Sequence, residues 1–432
     1  MCIHRLFIRF NFIFHLLLFV SFVFAQPQNI SRVGQYQLSS RSFFERNLVV
    51  QNDLAYITGQ SIGQSYGLMI INTVNPDSTF LIGRLGGMGT TRGIIIQNQY
   101  AFITSPDSGL YIVDISNPNL PSLASYLPLF GAARFTIDSN YAYISTWGSD
   151  TSTIGLSIVN ISNPLNPILT GFCTSEAPFG IRVCNGYAFL ASSPGIVVVD
   201  ISNPTHPVIV GSASIAFPDG IALQGSYAYL ATDSGLCVVD ISIPIRPTPV
   251  GHYYSNNLSV WTTDVAIHNN LAFLTQWGIG LRVIDVSNPF SPTLVGENDL
   301  PLQDNLMHSV FVNDSWAYTA EARYLGIFDY SNLLSIPESS HPTLPTTFSL
   351  ADPYPNPFNA STLIKFDLPQ MTRVNLQVFD ALGRKVSTLA DAPFNAGSYR
   401  WQWNGTGMAS GNYFIRMTLP GQVVMKKVVL VK

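Results

Sequence analysis

The chain has 432 residues, of which 47% are hydrophobic, 12% aromatic and only 11% charged, with a formal net charge of −4. Soluble domains carry about 25% charge, so this composition excludes a disordered chain, a coiled coil and a nucleic-acid binder, which needs a basic surface. The 32 glycines and 28 prolines suit a turn-rich all-β protein, and runs with helical periodicity are scarce.

The N-terminus reads as a signal peptide spanning 1–25. Arg5 and Arg9 precede an apolar stretch, Phe10 to Phe24, and Ala25–Gln26 is the expected cleavage point. The competing reading is a membrane anchor, but a run of about 15 residues is short of the roughly 20 that a spanning helix needs. No second stretch of that length follows, so no transmembrane segment is expected in the mature chain. Cleavage removes Cys2 and leaves Cys173, Cys184 and Cys237. An odd count leaves at least one free thiol, and all three sit in apolar runs that read as packed strands.

Residues 26–332 are built on one repeated unit. A glycine followed by an apolar run ending in Asp or Asn recurs at Gly67–Asn72, Gly109–Asp114, Gly155–Asn160, Gly195–Asp200, Gly235–Asp240 and Gly280–Asp285. The seventh copy, Tyr324–Asp329, replaces the glycine, and successive copies start 40 to 46 residues apart. An aromatic-Ala-aromatic element precedes most copies, as in Tyr187-Ala-Phe189 and Tyr227-Ala-Tyr229. A Pro-x-x-x-Gly run follows several, as in Pro207 to Gly211 and Pro247 to Gly251. Each unit therefore predicts four short antiparallel strands, the content of a propeller blade. The seventh unit lacks its fourth strand, and the missing piece stands at the other end of the repeat region, in Arg32–Leu38. The expected fold is a seven-bladed β-propeller closed by its N-terminal strand, which removes two exposed sheet edges. The recurring Asp-Ile-Ser-Asn-Pro run reads as turn chemistry, because Asp and Asn bond their own backbone and Pro fixes φ.

These Gly-Leu-x-Ile-Val-Asp-Ile-Ser-Asn-Pro units resemble the LVIVD repeat family of bacterial and archaeal surface or secreted proteins. The resemblance implies a propeller and carries no single activity with it. The first and seventh units depart most from the pattern.

Candidate ligand residues lie eight or nine positions before the central Ala of each second strand, where the first strands gather round a propeller axis. They are Arg46, Arg92, Arg134, Asp219, Asp264 and His308. Arginines suit a carboxylate or phosphate, and the aspartates suit a cation. The loops after the second strands add Trp147 and Asp150, Trp277, and Glu321, Arg323 and Tyr324, while Trp261 precedes the sixth unit. Exposed aromatics suit sugar rings or peptide side chains. The competing reading pairs these charges with one another and buries the tryptophans. Gly59-Gln-Ser-Ile-Gly63 matches a nucleophile pattern, but no helix follows to form the elbow such a serine needs. No zinc, nucleotide or calcium motif occurs, so no metal, cofactor or catalytic set is expected.

Residues 333–347 read as a Pro/Ser/Thr linker, and 348–432 as a small β-sandwich with alternating strands such as Ser361–Asp367 and Val374–Phe379. Tyr354-Pro-Asn-Pro-Phe-Asn359, Val378–Arg384, Ser410–Phe414 and the terminal Lys426–Lys432 stand in that order at the chain end. They resemble the type A C-terminal sorting domain of the type IX secretion system, an Ig-like module. Ala360 and Asn404 stand where Pro and Asp are common in that family. The resemblance implies handling by the type IX machinery and a secreted or outer-membrane cell-surface address. The expected function is non-catalytic binding of an extracellular glycan, peptide or protein. The alternatives are a secreted hydrolase or lyase with its site at the channel mouth, or a purely architectural surface component.

Overall fold

The computed structural model describes residues 27–38, 47–59, 66–148, 153–176, 178–255, 261–299, 306–334, 347–359, 361–369, 372–394 and 397–431. Ala25, Gln26, Arg46, Ser61, Asp150 and most of the expected linker lie outside the described residues.

The described chain is all-β apart from one helical turn at Ser331–Leu334 and a 3-10 turn at Pro76–Ser78. Repeated four-stranded antiparallel sheets follow one another along it. The fourth, for example, comprises Pro178–Cys184, Tyr187–Ser192, Gly195–Asp200 and Val208–Ser214, hydrogen-bonded in chain order. Strand order explains the composition of each strand. The third strand is buried on both faces, so Gly195–Asp200 is apolar throughout until its last residue. The fourth is outermost and alternates, leaving Val208 and Ile209 exposed. The Ala of each second strand (Ala55, Ala101, Ala142, Ala188, Ala228, Ala272 and Ala317) is 0% exposed, because it lies where successive sheets press together. The core is accordingly distributed between sheets. One cluster joins Phe189 and Val198 of the fourth sheet to Ile221 and Leu230 of the fifth. Another joins Leu48 and Ile57 of the first sheet to Tyr318 and Ile327 of the last.

The last sheet of the series takes its outer strand from the N-terminus. Ser31–Gln37 pairs antiparallel with Tyr324–Asp329, from Ser31 opposite Asp329 to Gln37 opposite Tyr324. Just upstream, Gln28–Asn29 adds in parallel to the outer strand Thr293–Asp299 of the neighbouring sheet, a pairing that the sequence does not announce. First strands contact one another from sheet to sheet, and Met307–Val312 of the last lies against Asn47–Gln51 of the first.

Two glycine positions set the geometry. The glycine opening the third strand has φ of +147° at Gly109, +155° at Gly155 and +158° at Gly195, a region disfavoured for other residues. A Cβ on Gly195 would also stand 2.1 Å from the Ala213 carbonyl of the outer strand. The outer-strand glycine is needed for a different reason. A Cβ there would stand 2.1 Å from the Pro118 carbonyl at Gly83, 2.0 Å from Pro204 at Gly171, 2.5 Å from Pro244 at Gly211 and 2.0 Å from Pro289 at Gly251. Each of these prolines belongs to the turn of the following sheet. The N-terminal strand continues the series, with Gly34 facing the Pro76 carbonyl of the first sheet at 2.2 Å. The second sheet has Ser125 instead, and its hydroxyl donates to the Pro164 carbonyl at 2.6 Å.

The Asp-Ile-Ser-Asn-Pro run is a turn. The Oδ1 of Asp114, Asn160, Asp200, Asp240 and Asp285 accepts the N–H two residues on at 2.8–2.9 Å. That backbone bond holds the Asp114 and Asp200 carboxyls below the usual aspartate range. Cys173, Cys184 and Cys237 are free thiols, and burial pushes Cys237 up to about 12.

The C-terminal domain packs two sheets on one core. Ser349–Leu350, Ser361–Leu368 and Gly397–Asn404 form one sheet. Lys385–Phe394, Thr372–Asp380, Gly411–Leu419 and Gln422–Leu430 form the other. Phe366, Leu376, Trp403 and Ile415 are buried between them.

Arg32 of the N-terminal strand reaches Glu321 at 2.5 Å, and Glu321 has no exposed surface. Arg32→Ala leaves that carboxylate buried without its cation and is expected to cost about 3 kcal/mol, whereas Arg84→Ala at an exposed outer-strand site costs less than about 0.5 kcal/mol. Urea unfolding followed by tryptophan fluorescence measures both. Gly251→Ala forces a Cβ onto the Pro289 carbonyl and is expected to lower stability by about 2 kcal/mol in the same assay.

Candidate functional site

The sequence positions eight and nine before the central Ala separate into two environments, because a bulge interrupts the first strand at this point in several sheets. Arg134 and Asp264 stand at the inner of the two positions. Gly180 and Gly220 stand there in the fourth and fifth sheets, where a Cβ would come within 2.6 Å of the Asp219 carbonyl and 2.8 Å of the Asp264 Cα. Arg134 reaches across from the third sheet. Its Nη2 donates to the Thr263 carbonyl at 3.0 Å, and its guanidinium lies 3.4 Å from Asp219 Oδ1 and 3.6 Å from Asp264 Oδ1. All three side chains are less than a fifth exposed.

Asp264 is also bound to backbone. Its Oδ1 accepts the Val265 N–H at 3.0 Å and its Oδ2 the Val310 N–H at 3.3 Å, the latter from the next sheet. Thr263 Oγ1 donates to the Met307 carbonyl of that sheet at 2.9 Å. Arg182 is a further cation that the sequence reading missed. It keeps some surface but lies deep among the inner strands, where loss of solvent lowers its pKa; Asp264 opposes that shift and Arg134 adds to it. Its one sequence signal is an arginine in a first strand that is otherwise apolar.

The outer of the two positions faces Arg134 at Asp219 of the fifth sheet, and aromatics in the second, fourth and last sheets. Arg92 lies over the Trp147 ring at 5.0 Å, and the Trp147 indole N–H donates to the Pro178 carbonyl at 2.6 Å while its ring meets Phe179 edge-on at 5.0 Å. Trp277 occupies the same place three sheets on, with His308 where Phe179 stands. Trp277 and His308 meet edge-on at 5.7 Å, and Trp261 packs against the other side of Trp277 at 5.7 Å. Here the resemblance ends. The Trp277 indole N–H is buried and has no hydrogen-bond partner among the described residues. Trp261 is 55% exposed. His308 is buried.

Glu321 and Arg323 sit differently from the expected long loop. Glu321 ends a strand, Ala317–Glu321, opposite Met307, and only Ala322 and Arg323 separate it from the next strand. Glu321 accepts from Arg32 and from the Thr319 hydroxyl at 2.8 Å. The Arg323 carbonyl accepts the Leu38 N–H at 2.7 Å. Both therefore help hold the N-terminal strand. Tyr324 opens the following strand, and Arg32 stands over its ring at 5.9 Å. Among the described residues, no three of His, Cys, Asp and Glu gather as a metal site. No helix there is long and apolar enough to cross a membrane.

Comparison with known families matches the LVIVD repeat at residues 88–127, 132–175, 180–214, 219–255 and 261–299, and the secretion system C-terminal sorting domain at residues 353–432. The repeat matches cover the second to sixth sheets and stop short of the first and last. No curated protein sequence matches the chain. Among solved structures, the WD40 β-propeller domain of Doa1 is 9% identical with a TM-score of 0.54, covering 70% of this chain and 97% of that one. That likeness is one of propeller fold. PorZ, a surface component of the type IX secretion system of Porphyromonas gingivalis, is 14% identical with a TM-score of 0.48. This chain is covered to 89% and spans 59% of the PorZ chain. The designed protein Ika8 is 8% identical with a TM-score of 0.48, covering 69% of this chain and 99% of that one. The chain carries five LVIVD repeats and ends in a type IX secretion sorting domain, and it is a secreted or cell-surface protein.

Proposed function

We propose that the chain is a non-catalytic binding module, exported by the type IX system and built as a seven-bladed propeller whose N-terminal strand closes the last blade. In this reading residues 1–25 are a cleaved signal peptide, 26–332 the propeller, 333–347 a linker and 348–432 an Ig-like sorting domain. Closure is supported by the pairing of Ser31–Gln37 with Tyr324–Asp329 and by the contact between the first strands of the last and first sheets.

The binding face is the end of the propeller that carries Trp261, Trp277 and Trp147. One observation carries the assignment: Trp261 is more than half exposed beside Trp277, whose buried indole N–H has no acceptor among the described residues. An exposed indole face costs free energy in water and gains it under a sugar ring or a planar side chain. The charges of this end support binding over chemistry. Arg134 is engaged with Asp219 and Asp264, and Glu321 with Arg32, so these carboxylates serve the fold. Hydrolysis needs an acid and a base poised on a substrate rather than held by guanidinium groups.

An array of glycans and short peptides, probed with the full chain, tests this reading. The expected result is a set of ligands whose affinity falls at least tenfold, about 1.4 kcal/mol, in Trp261→Ala. Ligands that bind Trp261→Ala unchanged would move the binding face elsewhere. Products released from any array ligand would make the chain an enzyme. Arg134→Ala is expected to destabilise the fold by about 2 kcal/mol, because it leaves Asp219 and Asp264 facing each other without the intervening cation; thermal unfolding reads this.

A further inference from the structure

A cavity of about 520 Å³ lies between the propeller and the C-terminal domain, at the opposite end of the sheets from Trp261 and Trp277. The turns of the fourth and fifth sheets form its floor. Phe290 from the sixth sheet and Phe394, Tyr399 and Trp401 from the C-terminal domain form its walls. Ligand sites favour such domain seams, and cavities of roughly 300–1,000 Å³ hold small molecules.

Rings line this box and follow one another edge to face, while Phe366 stacks on Tyr399 at 5.1 Å from within the C-terminal domain. Tyr227 and Phe290 meet at 6.5 Å and 80°, Phe290 and Tyr399 at 6.1 Å and 69°, Phe394 and Tyr399 at 5.0 Å and 87°, and Phe394 and Trp401 at 6.0 Å and 70°. Asp240 is the one charged residue in the lining among the described residues. Burial raises the Tyr227 and Tyr399 hydroxyls and the Asp240 charge adds to the rise, together bringing Tyr399 to about 12. The Asp240 carboxylate therefore acts on both sides of the seam.

We propose that this cavity binds a small quaternary ammonium cation, held by the ring faces and neutralised by Asp240. The charge sign follows from the lining. Aromatic faces are electron-rich and attract cations, a lone carboxylate repels anions, and no basic side chain among the described residues offsets it. The alkylated form follows from desolvation. A primary ammonium brings three N–H donors that must each find an acceptor, whereas a quaternary ammonium has none to satisfy. Asp240 Oδ1 accepts the Ser242 N–H at 2.8 Å, which fixes the carboxylate as the counter-charge at one side of the cavity. Half of the box belongs to the sorting domain, so only a chain that retains the domain forms the site.

Calorimetric titration of the full chain with choline chloride tests the proposal. The neutral isostere 3,3-dimethyl-1-butanol serves as control, because it has the same shape without the charge. Choline is expected to bind saturably at one site, and the isostere at least tenfold more weakly. Asp240→Asn is the decisive variant. Asn160 makes the same turn bond in the third sheet at 2.9 Å, so the substitution removes charge without removing the turn. It is expected to weaken choline at least tenfold while leaving the unfolding temperature unchanged, and Tyr399→Ala is expected to weaken it as much. Failure of choline to bind, equal binding of the isostere, or unchanged affinity in Asp240→Asn each overturns the proposal.

Discussion

The close approach of the outer-strand glycine to the turn proline of the following sheet sets the spacing of most neighbouring sheets, since a Cβ on Gly83, Gly171, Gly211 or Gly251 would meet a proline carbonyl at 2.0–2.5 Å. The second sheet makes the same approach through the Ser125 hydroxyl on the Pro164 carbonyl, and Gly296 of the sixth lies against the Ile30 and Leu333 side chains instead. Nearer the axis, the 0%-exposed alanines of the second strands do the same at the next layer in. Between those two layers the apolar residues of adjoining sheets interdigitate, so the core is a series of inter-sheet seams. Gly34 places the N-terminal strand within that scheme. It faces the first sheet as Gly83 or Gly171 faces its own neighbour, and Glu321, buried beside Arg32, adds a charge-specific lock.

This scaffold explains how charge is used. The chain has few ionisable groups, and several of those near the axis are spent on structure. Arg134 lies against Asp219 and Asp264, and Asp264 also accepts two backbone N–H groups. The exposed surface at this end includes an aromatic part, with Trp261 55% exposed beside Trp277. Trp147 and Trp277 occupy equivalent places, yet the first indole N–H donates to the Pro178 carbonyl and the second has no partner among the described residues, while the Met307 carbonyl at the matching position accepts from Thr263. A repeat protein can become asymmetric in this way at a single seam without disturbing the others.

Much of the fold is legible in the sequence because the repeats impose it seven times. The glycine of the apolar run, the aromatic-Ala pair and the Asp-Ser spacing each reflect one backbone requirement, and Arg32-Val-Gly34 could be matched to the missing outer strand by its own glycine. The site was less legible. Counting back from the central Ala merges two positions with different surroundings, since the bulge that separates Arg134 from Arg92 leaves no mark in the sequence. Glu321 reads as loop because its unit lacks the glycine that opens the next strand elsewhere, with Tyr324 in its place. The parallel addition of Gln28–Asn29 and the aromatic seam against the C-terminal domain depend on contacts between segments hundreds of residues apart, which no local pattern encodes.

The central claim is that the N-terminal strand is an integral member of the last sheet. Native-state hydrogen exchange by mass spectrometry tests it most directly. The account predicts that amides of Ser31–Gln37 exchange as slowly as those of Tyr324–Asp329, and that both open together in the same unfolding event. Rapid exchange of Ser31–Gln37 while Tyr324–Asp329 stays protected would contradict it.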